Sequence, residues 1–202
     1  SASFGSYRLY AYFGPHFFSI KAGGARLIFL DSTGKTPWRW QIRWLNDLLS
    51  QEPNRLRFLF IGHPLLHPDQ EAPFEQDNDF LHPPEFRSAL MDAIDRHDVD
   101  MVFSANLSLY ADQVEGDTRF ITTGGAGGLV LNNDTIFYHY VRVDVNDDGE
   151  ISHSMVRLEA RQHPVLSTPE SLWFFIYSLF YVGYVNFILL VAVFILISTK
   201  LY

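Results

Sequence analysis

An uncharged apolar stretch near the carboxyl end constrains this chain more than any other sequence feature. Residues 171–199 contain no charged side chain, and within residues 172–197 only Ser178, Gly183 and Asn186 interrupt the apolar run. About 20 apolar residues suffice to cross a bilayer, so the stretch predicts one transmembrane helix with length to spare for tilt. The alternative, a buried core helix, is usually shorter and has a polar face. We therefore expect a single-pass membrane protein.

Asn186 lies deep inside this predicted helix. A lone amide in the bilayer is costly unless it forms a hydrogen bond, which is worth about 0.6 kcal/mol on average when the partner is a neighbouring helix. A contact with other membrane-protein subunits through Asn186 is one interpretation, and a bond to the protein's own backbone is the other. The basic residues near the helix, Arg157, Arg161 and Lys200, are too few to set its orientation.

The rest of the sequence indicates one globular domain and a linker. Residues 1–158 are long enough for one domain with a sizeable core, and residues 159–170 form a linker that contains Pro164 and Pro169. The formal net charge of −8 argues against a nucleic-acid-binding face, which needs clustered Lys and Arg. The absence of cysteine excludes thiol catalysis, disulfides and cysteine-ligated zinc.

Hydrophobic periodicity and turn residues predict a mixed α/β order for the globular domain. Residues 16–22 and 26–31 form two strands joined by Gly23-Gly24, a dipeptide suited to a tight hairpin. A helix, a strand, a long loop, a helix and a buried strand follow, and three antiparallel strands complete the domain. Their predicted bounds are residues 37–50, 55–62, 63–84, 84–97, 101–104, 119–123, 136–145 and 151–158.

Polar side chains follow two of the predicted buried strands. Ile61-Gly62-His63-Pro64 ends the first strand, and Ser104-Ala105-Asn106-Leu107-Ser108 ends the second. Functional sites of layered α/β folds lie outside the carboxyl ends of such strands. His63, Asn106 and Ser108 are therefore the candidate site residues.

Several stretches, taken in order, resemble the second half of the calcineurin-like metallophosphoesterases. In that family a Gly-His-Pro-type turn supplies one metal-binding histidine, and a later Gly-His-x-His turn, commonly followed by a tyrosine, supplies two more. The resemblance covers about residues 13–158. It is carried by residues 17–20, 28–33, 40–45, 61–64, 99–104, 109–110 and 121–128.

The resemblance implies an α/β fold, namely a four-layer αββα sandwich with two β-sheets inside and helices outside, of which this sequence resembles the second half. It also implies phosphoester hydrolysis, in which two metal ions bind the phosphate oxygens and activate a water. The family has Asp-x-His, Gly-Asp and Gly-Asn-His-Asp motifs ahead of the paired strands. The sequence before residue 16 contains none of them.

Of the metal ligands that the resemblance implies for this half, only His63 remains. Asn106 and Ser108 stand where the family has its two later histidines. An amide oxygen is a weak metal ligand and a serine hydroxyl is a poorer one. We therefore expect no catalytic residue, no cofactor-binding residue and no cofactor, with His63 as a residual metal ligand. An active form would need two divalent metals, Mn, Fe or Zn.

Other residues offer alternatives. His67 and His82 of the long loop could replace missing ligands, although solvated loop residues are the simpler interpretation. Residues 144–149 match the first half of a calcium loop, but Met155 occupies the position of the required glutamate, which favours a β-turn. The glycines within residues 124–128 lack the lysine of a P-loop, so we expect them to allow close backbone packing.

The sequence favours a membrane-anchored, catalytically degenerate metallophosphoesterase-like domain that acts as an accessory or scaffold subunit of a membrane protein assembly. One alternative is an active metal-dependent phosphohydrolase on membrane-associated or nucleotide phosphoesters, with ligands from outside this sequence. Another is a metal-free ligand-binding module. The expected partners are the membrane and other membrane-protein subunits, without nucleic acid. The globular domain is expected on the extracytoplasmic side, where many anchored relatives have theirs.

Overall fold

The computed structural model describes residues 14–51, 55–68, 79–125 and 137–158, together with residues 172, 190 and 191. The chain divides into two compact units, Ser1–Leu158 and Glu159–Tyr202. The strands and helices that follow belong to the first unit. In chain order they are β1 (Phe18–Ala22), β2 (Ala25–Leu30), α1 (Trp38–Gln51), β3 (Leu56–Ile61), α2 (Pro84–Arg96), β4 (Met101–Ser104), β5 (Tyr110–Glu115), β6 (Thr118–Thr123), β7 (His139–Val145) and β8 (Ile151–Arg157).

Six of these strands form one sheet in the order β1-β2-β3-β4-β6-β5. The four inner strands β2, β3, β4 and β6 are parallel, whereas β1 and β5 pair antiparallel with their neighbours. β7 and β8 form a separate antiparallel hairpin. The predicted α/β class is confirmed, and so is the hairpin at Gly23-Gly24, because β1 pairs antiparallel with β2.

Two details differ from the sequence prediction. The strand β5 was not predicted. It is the outermost strand of the sheet, and its polar residues mask the alternation that marks a half-buried strand. The strand β6 was predicted as the first of three antiparallel strands, but it pairs parallel with β4. The β5–β6 hairpin reverses the chain, so β6 returns beside β4 in the main sheet.

The two helices cover one face of the sheet and enclose the main core. Alternate residues of the inner strands point to this side, as the period of two in a strand requires. Burial of these apolar side chains supplies most of the hydrophobic stabilisation of the unit. The core includes Ile28, Leu30, Leu59, Ile61, Val102 and Phe120 from the strands and Leu45, Leu49, Phe86, Leu90 and Ile94 from the helices.

A buried arginine closes the ends of both helices. The guanidinium group of Arg57, on β3, donates hydrogen bonds to the backbone carbonyls of Leu49 in α1 and His97 after α2. The last carbonyls of a helix have no partner within the helix. Arg57 is 5% exposed. Because its guanidinium group is out of contact with water, these carbonyl groups solvate its charge, and they gain hydrogen bonds that they would otherwise lack.

The opposite face of the sheet is aromatic and is packed by the β7–β8 hairpin. Phe18, Phe29, Phe60 and Phe103 stack across four adjacent strands, with ring centroids 4.7, 4.8 and 5.0 Å apart. Side chains of the hairpin, among them Val141 and Val143, pack against this face. A groove of about 680 Å³ remains between the sheet and the hairpin.

No helix within the described ranges is long and apolar enough to cross a membrane. Apart from residues 172, 190 and 191, the predicted transmembrane stretch 171–199 lies outside the described residues, and so do Asn186 and the linker 159–170. The transmembrane helix and the role of Asn186 therefore stay predictions.

Candidate functional site

The ends of three neighbouring parallel strands bring polar side chains to one edge of the sheet. Ser32 follows β2, His63 follows β3 and Asn106 follows β4. These strands are adjacent and parallel, so their carboxyl ends meet at the same edge. The backbone N–H of Ala105 donates to the carbonyl of Gly62 at 3.0 Å, which joins the turns after β3 and β4 directly. The structure therefore brings His63 and Asn106 together, as the strand-end argument predicts.

His63 is held by a serine. Its Nδ1 atom lies 2.7 Å from Oγ of Ser32, and the imidazole is half-buried. A Cβ atom at Gly62 would lie 2.6 Å from the same oxygen. The lack of a side chain at position 62 therefore leaves the space that the Ser32 hydroxyl occupies when it contacts His63.

Asp31 fixes the turn that carries Ser32. Its backbone N–H and carbonyl form two hydrogen bonds with the side-chain amide of Gln41, at 2.8 and 2.9 Å. Its carboxylate accepts hydrogen bonds from the hydroxyls of Thr33 and Thr36 at 2.6 and 2.7 Å and from the Thr33 N–H at 2.8 Å. Burial alone would raise the pKa of Asp31, but these hydrogen bonds lower it below its ordinary value.

Asp79, from the long loop, contacts the turn after β4 and affects the pKa of His63 in the turn after β3. The side-chain amide of Asn106 donates to the Asp79 carbonyl at 3.1 Å and lies 3.5 Å from its carboxylate. Burial lowers the pKa of His63, the charge of Asp79 raises it, and His82 lowers it, with a net lowering. The imidazole of His63 is therefore mainly neutral at neutral pH.

The rest of the turn after β4 is packed against backbone. Leu107 is 3% exposed and packs with Phe80 and Leu109. A Cβ atom at Gly124 would collide with the backbone carbonyl of Leu107, and one at Gly125 would collide with the ring of His139. Close backbone packing, as predicted for the glycines of residues 124–128, is confirmed for these two, while residues 126–128 lie outside the described ranges.

Asn106 has the backbone geometry of a tight turn. Its φ angle is 70°, in the left-handed region that asparagine tolerates better than most residues. The side chain is exposed and reaches Asp79, whereas Ser108, two residues further on, is half-buried. Asn106 and Ser108, which stand where the Gly-His-x-His turn of the resembled family has its histidines, thus differ in exposure to solvent.

Several polar side chains at this edge are already hydrogen-bonded within the protein. Nδ1 of His63 faces Ser32, and the carboxylate of Asp31 accepts hydrogen bonds from two threonine hydroxyls. Asn106 directs its amide N–H groups toward Asp79, which leaves its amide oxygen, a weak ligand, for a metal. In the part of the chain that the structure describes, no three His, Asp or Glu side chains are grouped closely enough to hold a metal ion.

The remaining histidines of the loop do not form a site with His63. The ring of His67 packs on Phe80, with centroids 3.8 Å apart. His82 is exposed and lowers the pKa of His63. Their proposed use as replacement ligands finds no support in this geometry.

The half-matching calcium loop forms a β-turn. The N–H of Gly149 donates to the carbonyl of Asn146, and the N–H of Glu150 donates to Oδ1 of Asn146 at 2.8 Å. β7 and β8 flank the turn on both sides. The β-turn interpretation of residues 144–149 is confirmed.

Sequence reasoning missed Ser32 and Asp79 as members of this edge. A signal for Ser32 was present, because it follows β2 as His63 follows β3, and the two strands pair in parallel register. Asp79 belongs to a long segment without periodicity, so nothing local indicated its position.

Comparisons with known proteins place the fold. No protein-family model matches the sequence, and no curated protein matches it. Solved structures do match. Purple acid phosphatase PPD1 from yellow lupin (Lupinus luteus) seeds is similar with a TM-score of 0.53 at 12% sequence identity, over 74% of this chain and 31% of that chain.

Two further structures match less well. GAP50, the anchor in the inner membrane complex of Plasmodium, has a TM-score of 0.47 at 15% identity, over 72% of this chain and 50% of that one. A 5'-nucleotidase from Staphylococcus aureus has a TM-score of 0.41 at 10% identity, over 73% of this chain and 30% of that one. The chain thus spans half or less of the length of these structures.

The lupin phosphatase, with a TM-score above 0.5, has a calcineurin-like phosphoesterase fold, so the resemblance seen in the sequence is confirmed for the fold. At 12% identity the likeness establishes fold and does not establish chemistry.

Proposed function

We propose that this protein is a membrane-anchored domain with a calcineurin-like phosphoesterase fold, a four-layer αββα sandwich in full, whose metal site is degenerate, and that it acts as an accessory or scaffold subunit of a membrane assembly. The observation that carries the proposal is the turn after β4, where Asn106 and Ser108 stand in place of two imidazoles and the Asn106 amide donates to the Asp79 carbonyl at 3.1 Å. The Ser32 contact at Nδ1 leaves Nε2 of His63 as a single residual ligand atom, and Asn106 and Ser108 add no strong ligand beside it.

Membrane anchoring is supported by the sequence of residues 172–197. An apolar run of this length without charge matches the thickness of a bilayer. Asn186 within it supports contact with other membrane-protein subunits. An extracytoplasmic location of the globular domain completes the proposal and is tested by protease protection in sealed vesicles.

Metal analysis of the purified full chain tests degeneracy. We expect less than stoichiometric Mn, Fe or Zn after exposure to each metal and no hydrolysis of bis-p-nitrophenyl phosphate above background. Stoichiometric metal with hydrolysis that His63→Ala abolishes would instead establish the active phosphohydrolase, with ligands from outside this sequence.

A restored motif provides the positive control. The variant that combines Asn106→His with Ser108→His places three imidazoles at the edge where the two turns are already joined by the Ala105–Gly62 hydrogen bond. We expect this variant to bind Co²⁺ more tightly than the parent, measured by its absorption spectrum, because imidazole is a far better ligand than amide or hydroxyl. Equal Co²⁺ binding by both chains would argue that the two substitutions are not what weakens the site.

The groove between sheet and hairpin favours a second candidate, a metal-free ligand-binding module. Its volume of about 680 Å³ lies in the range of small-molecule sites, and its walls are mainly apolar with Ser104 and Thr123 at one end. A ligand would raise the thermal unfolding midpoint in the presence of EDTA, and Phe60→Trp, which fills the groove, would remove the increase.

A further inference from the structure

The helix α1 presents an exposed tryptophan among cations. It carries three tryptophans, of which two are packed: Trp38 stacks on Phe86 with centroids 5.9 Å apart, and Trp44 meets Phe17 edge-on at 5.0 Å. Trp40, one turn before Trp44, is 62% exposed. Singly scattered apolar side chains are common on protein surfaces, so Trp40 becomes informative only together with its charged neighbours.

The residues around Trp40 are basic. Lys35, Arg39 and Arg43 are all exposed, and residues 32–46 contain no acidic side chain. Arg39 and Arg43 are four residues apart and therefore lie on one side of α1, next to Trp40. We call Lys35, Arg39, Trp40 and Arg43 the α1 surface. The first acid along the helix is Asp47, one turn beyond Arg43.

This local charge is opposite to that of the protein. The chain carries a formal net charge of −8, so overall repulsion acts against an anionic partner. At physiological ionic strength charges farther apart than about 8 Å are largely screened, so a nearby partner responds mainly to the α1 surface. The neighbouring helix α2 has three exposed acids, Glu85, Asp92 and Asp95, against one exposed base, Arg96, so its exposed side chains are net negative.

We propose that the α1 surface docks onto the headgroup region of an anionic lipid bilayer. Tryptophan favours that region because its ring is apolar and its N–H is polar. Lys and Arg beside it are attracted to the negative surface potential of anionic lipids. The inference rests on the proposed membrane anchoring, since the apolar stretch in residues 172–197 would hold this domain beside a bilayer. A partner protein on the same surface is an outcome of the test.

The absence of cysteine allows a matched labelling experiment in the full chain. Asp47→Cys and Asp148→Cys each replace one exposed aspartate, the first on α1 and the second in the β7–β8 turn, on the opposite face of the sheet. Each variant receives an environment-sensitive NBD label and is reconstituted in nanodiscs of phosphatidylcholine or of phosphatidylcholine with one-third phosphatidylserine. Quenching by acrylamide, which is neutral, reports exposure to water.

We expect the label at position 47 to be quenched several-fold less in the phosphatidylserine discs than in the neutral discs, and the label at position 148 to be quenched equally in both. Arg39→Glu with Arg43→Glu, or Trp40→Ala, should return position 47 to the neutral-disc value. All three side chains are exposed, and an unchanged far-UV circular dichroism spectrum confirms folding of the variants.

Three results would overturn the inference. Position 47 could be quenched like position 148 in both kinds of disc, or its protection could be equal in both lipids and survive the charge reversal. Protection that appears in detergent and grows with protein concentration would indicate a protein partner instead.

If the chain fails to enter discs, the anchoring proposal fails, and the same labelled chains are mixed with vesicles of the two compositions. Lipid-dependent protection there would still support the α1 surface, and its absence would reject it.

Discussion

The turns that follow β3 and β4 lie side by side at one sheet edge, yet they are stabilised in different ways. The turn after β3 is held by a side-chain contact, Ser32 to His63. The turn after β4 is held by backbone packing, with Leu107 against Gly124. A side chain can rotate away from an intruding atom, whereas a backbone carbonyl in a sheet-edge turn cannot. The turn after β4, which stands where the resembled family has its two histidines, is therefore the less adaptable of the two.

Gly124→Ala should be the most damaging single change at this edge. Its Cβ atom would overlap the Leu107 carbonyl and approach Ser108 Cα to 3.1 Å, so the backbone of the turn would have to move. We expect a loss of about 3 kcal/mol or more in unfolding free energy, at the upper end for overpacking. Thermal and urea unfolding of the full chain in detergent measure it.

The matched control is Gly24→Ala. No atom lies within 4 Å of a Cβ built there, and its φ is not in the left-handed region. We expect a change within about 0.5 kcal/mol, as at most surface positions. If the two alanines cost the same, backbone packing is not what distinguishes the turn after β4.

Gly62→Ala should cost less, about 1–2 kcal/mol, because the atom in its way is the end of a rotatable side chain. The new Cβ would displace the Ser32 hydroxyl and break its contact with His63. Adding Ser32→Ala removes the obstruction, so the double variant should be more stable than the sum of the two single effects predicts. Additive effects would mean that Ser32 does not occupy the space above Gly62.

The sequence predicted the strands of this edge better than its chemistry. β2, β3 and β4 were found because buried strands in a parallel sheet are short apolar runs. Ser32 was missed because its partner is 31 residues away, and Asp79 because its segment has no period. The polar β5 was missed for a related reason, since an edge strand needs little apolar alternation. The local hydrophobic pattern identifies buried strands, whereas strand pairing determines which side chains come into contact.

Asn106→Ala should cost about 1–2 kcal/mol, since alanine lacks the tolerance of asparagine for a φ of 70°. Asn106→Gly keeps this backbone conformation and loses the side-chain contacts with the Asp79 carbonyl and carboxylate. The glycine variant should therefore lose less than the alanine variant, and the difference measures backbone strain. Alanine and glycine variants of equal stability would show that the side-chain bond, rather than φ, matters at this position.

Titration of His63 should produce the smallest effect. Its folded-state pKa lies below the ordinary value of 6.5, chiefly because of burial. Between these two pKa values the unfolded chain binds more protons than the folded one, so stability falls as pH drops through this window and then levels off. The loss should be under about 1 kcal/mol, given that the imidazole is half exposed.

His63→Gln tests this contribution, because glutamine is neutral at every pH and can still bond to Ser32. The unfolding midpoint of the parent should fall more between about pH 7 and pH 5 than that of the variant. His97, whose pKa is also lowered chiefly by burial, keeps a similar slope in both chains and serves as the internal reference. Parallel pH profiles would mean that the imidazole of His63 is equally solvated in the folded and unfolded states. The contrast with the turn after β4 would then rest on Gly124 alone.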